Sequence, residues 1–396
     1  VISTEESAES WPLVRLGALV QFKSGDAISG EKIRDEGDYP VFGGGGFRGY
    51  TDTYNTMGDR ALVGRQGALC GNVTFARSRF FATEHSLVAH PRTAFDARWL
   101  AFLLEAMNLR QYSMSAAQPG LAAENLAQLR VPVPLIAEQE AIAEFLDRET
   151  AEIDAFIADQ EELIALLTER RAATISHAVI RGLDPSAQTA PTGVNWLGDI
   201  PSHWTVRSAI AIGRTFGSEP IAEDELASEG VIAFLKVSSL SSSSLQLESI
   251  DWYVNDSQRA VTGEFVVFPK RGAAIFGNKV NVATGPAVID PNLMGWQLFP
   301  SNSPRYFAYV LKCVRLEELA DVSTVPQINV KHLRELRLPV PPVDEQVRIA
   351  HHIDREVGEL DAAIADASEA IALSRERRAA LISAAVSGKI DVRSAA

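Results

Sequence analysis

The sequence predicts an α+β protein: two globular domains separated by two long antiparallel coiled-coil helices, related by a pseudo-two-fold internal repeat. Three observations predict it. A gapless duplication covers about fifty residues, each copy carries a single apolar stripe at helical spacing, and the segments outside it hold short apolar runs bounded by Gly and Pro.

The duplication opens with Leu129-Arg130-Val131-Pro132-Val133-Pro134, which recurs as Leu336-Arg337-Leu338-Pro339-Val340-Pro341. A constant shift of 207 residues then holds to Val179 and Val386, with roughly 30 of the 51 aligned pairs identical. The identities include Glu138-Gln139 with Glu345-Gln346, Asp147-Arg148-Glu149 with Asp354-Arg355-Glu356, and Glu169-Arg170-Arg171-Ala172-Ala173 with Glu376-Arg377-Arg378-Ala379-Ala380.

Each copy reads as one helix that starts after prolines, which a helix interior does not accept, and stops near Gly182 or Gly388. Ile142, Leu146, Ile153, Ile157 and Ile164 fall at spacings of four and seven, and Ile349, Ile353, Leu360, Ile364 and Ile371 repeat them. A helix of about 43 residues is roughly 65 Å long, more than a small domain needs for its own core. Mutual coiled-coil pairing is therefore expected.

The preceding segments share landmarks only. Trp11-Pro12-Leu13-Val14-Arg15 corresponds to Trp204-Thr205-Val206-Arg207, Gly67-Ala68 to Gly272-Ala273, and Trp99-Leu100-Ala101-Phe102-Leu103 to Tyr306-Phe307-Ala308-Tyr309-Val310. Residues 60–63 and 264–268 read as strands, and 99–107 and 305–314 as short amphipathic helices packed on a sheet. The predicted order is a first domain (1–128), a first helical region (129–182), an extended linker (183–203), a second domain (204–332) and a second helical region (333–391). A kept scaffold beside diverged loops indicates two different targets.

Composition narrows the function. The net charge is -14, which opposes an autonomous nucleic-acid binder, because Lys and Arg supply much of that affinity. The acid is uneven: residues 129–182 hold 5 basic and 11 acidic groups, whereas residues 13–110 hold 12 and 10. Cys70 and Cys313, the only cysteines, lack partners at metal-ligand spacing and are expected to be packing residues in a reducing compartment. No charge-free apolar run is long enough for a bilayer, and the opening Val1-Ile2-Ser3-Thr4-Glu5-Glu6 lacks the regions of a signal peptide. A cytoplasmic location is expected.

No Gly-x-Ser-x-Gly elbow, His-Glu-x-x-His pair or Asn/Asp-Pro-Pro-aromatic tetrad is present. Gly43-Gly44-Gly45-Gly46 lacks the Gly-Lys-Ser/Thr of a phosphate loop and is expected to be a tight turn or a mobile loop against a partner. His351 and His352 point in different directions on a helix and cannot share a metal.

The arrangement resembles the specificity subunit of Type I restriction-modification systems across almost the whole chain. The resemblance rests on the repeated Pro-Val-Pro with Glu-Gln, the Glu-Arg-Arg-Ala-Ala helix ends, Trp196-Leu197-Gly198-Asp199-Ile200-Pro201-Ser202-His203-Trp204, and Tyr39-Pro40-Val41-Phe42 before the glycine run with Gly49-Tyr50 after it. It implies two target recognition domains, each reading one half of an asymmetric bipartite site in double-stranded DNA, and a chain without catalysis. It further implies two methylation subunits and restriction/translocase subunits as partners. S-adenosylmethionine, ATP and Mg are then expected on those partners, and part of the DNA-facing positive surface with them. The competing reading is a coiled-coil scaffold whose domains bind protein.

Reading bases from the major groove calls for Arg or Lys at guanine and Asn or Gln at adenine, presented from loops. Arg65 and Gln66 before Gly67, and Lys270 and Arg271 before Gly272, occupy equivalent places after a strand, where Gly permits close approach. Arg48, Arg77, Arg79, Asn278 and Lys279 are further DNA-binding candidates, chiefly for phosphates.

Overall fold

Prolines and glycines frame both long helices in the computed structural model, which describes residues 11–113, 120–255, 258–321 and 325–392. The opening segment read for a signal peptide lies outside the described residues. Ile136–Arg181 follows Pro132 and Pro134 and stops at Gly182, whose φ of 74° suits glycine. Val343–Val386 follows Pro342 and gives way before Gly388, φ 73°. The helices hold 46 and 44 residues.

The chain forms two compact units: Val1–Glu162 with Ser368–Ala396, and Leu163–Ala367. These cut across the sequential regions read from the sequence. Each unit combines one head, the first half of the helix that follows it, and the last part of the other long helix.

In the first unit, Val20–Ser24, Ser86–Pro91, Arg60–Gly64 and Val73–Ala76 form an antiparallel sheet in that order. A second sheet has the order Gly46–Thr51, Tyr39–Gly43, Arg79–Ala82, Thr56–Met57, with its central pair parallel. Strand alternation directs Leu62 and Val88 with Ala76, Phe80 and Ala82 into one core cluster. It directs Ala61, Val63, Leu87 and Ala89 to the other face, against Trp99 and Phe102 of the helix Ala97–Ala106. Ile142 and Leu146 of the first long helix and Ile382 and Val386 of the second close this core.

The second unit repeats the plan. Gly213–Phe216, Leu293–Leu298, Glu264–Pro269 and Asn281–Thr284 make the antiparallel sheet. Tyr253–Val254, Ile232–Leu235 and Ala287–Ile289 make the smaller one, the last two parallel. Val266, Phe268 and Trp296 pack on Tyr306 and Phe307 of the helix Pro304–Val314, with Ile349, Ile353, Ile175 and Val179 from the long helices.

Polar contacts are duplicated with equal fidelity. The buried Gln139 accepts from the Asp96 backbone N–H at 2.8 Å and donates to the Pro134 carbonyl at 2.9 Å. Gln346 does the same with Ser303 and Pro341, also at 2.8 and 2.9 Å. Each glutamine therefore ties the start of a long helix to the start of the short helix in its own head. Arg98 pairs with Asp147 at 2.5 Å and Arg305 with Asp354 at 2.8 Å.

The long helices run antiparallel within each unit, since numbering falls on one as it rises on the other. Asp154 meets Arg378 at 2.9 Å and Glu161 meets Arg375 at 2.8 Å in the first unit. Arg171 meets Asp361 at 2.8 Å in the second, the same pair moved by one repeat.

The structure refines one sequence expectation and corrects another. The apolar stripe is not purely interhelical: Ile142, Leu146, Ile349 and Ile353 are buried against the heads as well as the opposite helix, while Ile157, Ile164 and Ile364 are only half-buried. Spacing reveals which face is apolar, not what covers it. The expected linker is folded rather than extended. Thr189–Pro191 pairs antiparallel with Asp199–Pro201, and Leu197, Ile200 and Trp204 are buried in the second unit's core. Leaving Leu197 and Ile200 in water would forgo roughly 1.5–3 kcal/mol each.

Candidate nucleic-acid interface

The two glycine-containing loops have one backbone lattice. After the strand Arg60–Gly64, the Arg65 N–H donates to the His85 carbonyl at 2.8 Å and its carbonyl accepts from Leu121 N–H at 2.9 Å. After Glu264–Pro269, the Lys270 N–H donates to the Asn292 carbonyl at 2.8 Å and its carbonyl accepts from Ile328 N–H at 2.9 Å. Gln66 bridges to Gly120 and Arg271 to Gln327. Gly67 and Gly272 then turn with φ of 74° and 81° into the short helices Gly67–Leu69 and Ala273–Gly277. A β-carbon at either glycine meets nothing within 4 Å, so the left-handed backbone, not crowding, selects glycine there.

The side chains on this lattice differ. The Arg65 guanidinium donates to Ser24 Oγ at 2.7 Å, which holds it at the end of the strand Val20–Ser24. Lys270 Nζ lies over Gly217, just beyond the matching strand Gly213–Phe216, where a β-carbon would come within 3.2 Å of it. Gln66 and Arg271 are exposed. The first loop presents an anchored, planar guanidinium and an amide; the second presents an ammonium, without a hydrogen-bond partner among the described residues, and a guanidinium.

The glycine run completes the first site. Tyr39–Gly43 and Gly46–Thr51 pair with Phe42 opposite Phe47 and Gly43 opposite Gly46, so Gly44 and Gly45 form a tight two-residue turn. This turn packs on the reading loop: a β-carbon at Gly64 would fall 2.3 Å from the carbonyls of Gly44 and Leu69. Arg48 lies beside Gly43, exposed and without a hydrogen-bond partner among the described residues. Arg48, Arg65 and Gln66 are thus gathered at one end of the head. In the second head, Ile232–Leu235 is followed not by a hairpin but by Lys236, whose Nζ lies 4.5 Å from the Trp252 ring centroid.

The remaining candidates are elsewhere. Arg77 stacks on Phe75 and lies 3.9 Å from Asp147 on the long helix. Arg79 lies over Tyr54, 5.1 Å from its centroid. Asn278 is engaged within the fold, donating to the Lys312 carbonyl at 2.9 Å and accepting from Leu316 N–H at 3.0 Å. Lys279 donates to the Leu240 carbonyl at 2.7 Å. Ser24, Gly217 and the Lys236–Trp252 stack were not singled out from the sequence. Ser24 is 41 residues from Arg65, and no local pattern announces such a contact.

Titratable groups near the first loop follow burial. The Cys70 thiol, beneath Arg65, is pushed up by burial, partly offset by Ser113 and Arg110. His90 is pushed down by burial and by the Arg60 and Lys23 cations. Among the described residues, no group of His, Cys, Asp or Glu is arranged to hold a metal ion. No helix among them is long and apolar enough to cross a membrane.

Two heads of one architecture, carrying different side chains on equivalent loops and each packed on part of both long helices, define a two-headed scaffold built by internal duplication. The chain belongs to the Type I restriction modification DNA specificity domain family, which matches it twice, over residues 8–164 and 204–366. It is 42% identical over 137 residues to the Type I restriction enzyme EcoprrI specificity subunit of Escherichia coli, covering 34% of each chain. It is 19% identical over 338 residues to a putative Type I specificity subunit, S.HindORF215P, of Haemophilus influenzae, covering 82% of this chain and 81% of that one. The match thus spans about a third of the first relative and most of the second. Among solved structures, one described under complex assembly and conformational transition of the type I R-M system superposes with a TM-score of 0.73 at 14% identity, covering 97% of this chain and 100% of that one. The HsdS subunit of Thermoanaerobacter tengcongensis gives 0.53 at 14% identity over 98% and 99%. At these identities the likeness concerns the fold.

Proposed function

We propose that this chain selects an asymmetric bipartite DNA site, one half read by each head, and carries no catalysis of its own. The observation that carries this reading is the shared backbone lattice of the two loops under different side chains. Arg65, Gln66 and Arg48 serve the first half-site, Arg65 matching the bidentate acceptors of guanine and Gln66 those of adenine. Lys270 and Arg271 serve the second. Arg77, Arg79, Asn278 and Lys279 remain phosphate candidates, although the last two would have to release contacts within the fold. Two methylation subunits and the restriction/translocase subunits are the proposed partners, bringing S-adenosylmethionine, ATP and Mg, while this chain binds none of these.

The test is to co-express the chain with its cognate methyltransferase and map methylated adenines across a host genome. One bipartite motif that disappears when the chain is omitted supports the reading. Absence of any motif from an assembled complex would overturn it and favour a protein-binding scaffold.

A further inference from the structure

The duplication is broken at one charged position on the helix pair. In the first unit Arg378 is neutralised on two sides, by Asp154 at 2.9 Å and by Glu105 at 2.5 Å. One repeat away, Arg171 keeps its aspartate, Asp361 at 2.8 Å, but Lys312 stands where Glu105 stood. Two cations therefore face each other across a part-buried spot whose counterpart holds a cation and two carboxylates. The compensation present is weak: Lys312 Nζ donates to the Ser242 carbonyl at 2.8 Å, and Arg171 donates to the carbonyl of Ser243.

Open space adjoins both groups. One cleft of about 270 Å³ is lined by Arg171, Lys312 and Arg305 and also by the carboxylates Asp361 and Asp354 that pair with the two arginines; a second of about 310 Å³ is lined by Arg171, Lys312, Ser176, Asn278 and Arg315 and by no carboxylate. Arg315 carries its own ion pair with Glu317, so the excess charge belongs to Arg171 and Lys312. Each has donors left over: a guanidinium offers five N–H groups and an ammonium three. We propose that the second cleft, between Arg171 and Lys312, binds a phosphate oxyanion, which takes the place that the Glu105 carboxylate fills in the other unit. Lys312 bears the mark of the missing anion: burial and Arg171 push its ammonium down to about 8, with Asp361 only partly opposing them. A phosphate group presents three or four acceptor oxygens and matches a guanidinium bidentately. Free phosphate and the DNA backbone share this chemistry.

The test is calorimetric titration of the full chain with inorganic phosphate at constant ionic strength, beside Lys312→Glu and Lys312→Gln. Lys312→Glu recreates the first unit's arrangement and is expected to fold; Lys312→Gln removes the charge without adding one, and circular dichroism verifies both. Saturable binding at one site, weakened at least tenfold in both variants and unchanged in Glu105→Gln, is the expected result. No saturable heat, or equal affinity in the wild type and both variants, overturns the proposal. A mixed-sequence DNA duplex is then added to the phosphate-loaded protein. Displacement identifies the backbone phosphodiester as the occupant, and simultaneous binding identifies a free phosphate-bearing ligand. Either supports the oxyanion site, and neither depends on which bases the heads read.

Discussion

Arg65 and Ser24 show how a single contact tunes a reading loop. Arg65→Ala is expected to weaken the first half-site by about 1–3 kcal/mol and leave the second untouched, as read by methylation of split-site reporters. Ser24→Ala frees the same guanidinium without deleting it. A loss of roughly fivefold, restored by Ser24→Thr, is expected at the first half-site alone, in line with one hydrogen bond to a charged group at an exposed site. Lys312 makes a pH prediction. Its folded value lies below that of the unfolded chain, so the unfolded state holds more protons above pH 8 and stability rises with pH there. Cys313, raised to about 12 by burial, opposes this from about pH 9 upward. Tyr309, also raised, adds to that opposition at higher pH. The stability deficit of the wild type relative to Lys312→Met should therefore shrink between pH 8 and 9, as followed by urea unfolding.

The elements were largely legible because their signals are local. Proline before and glycine after the long helices set their ends, and the apolar spacing set their inward face. What covers that face was not legible, since Ile142 shares its core with Trp99 and Phe102, which are far from it in sequence. The buried glutamines are the clearest case. Both repeat copies display Glu-Gln, yet only the structure shows Gln139 and Gln346 each bonding a backbone N–H and a carbonyl. Gln139→Leu should cost about 2–4 kcal/mol, because a buried carbonyl and a part-buried N–H lose their glutamine partner together. Gln346→Leu should cost a similar amount in the other unit. Differential scanning calorimetry of each variant is the measurement, and a loss in both is the expected outcome.

For the molecule as a whole, a net charge of -14 with local cationic loops predicts weak DNA binding by the isolated chain and a shallow salt dependence. Affinity should rise when the methylation subunits are added, as measured by fluorescence anisotropy at several salt concentrations. The duplication, the helix limits, the matching of the two glycine loops and the family resemblance were all determined by the sequence itself, because identity at a constant shift and the φ demands of Gly and Pro act along the chain. The tertiary structure alone decided that Ser24 anchors Arg65, that Asn278 and Lys279 are committed to carbonyls, that residues 183–203 fold into a core, and that Lys312 faces Arg171. Those outcomes depend on which side chains converge from distant positions, and their burial and charge balance exist only once the chain is folded.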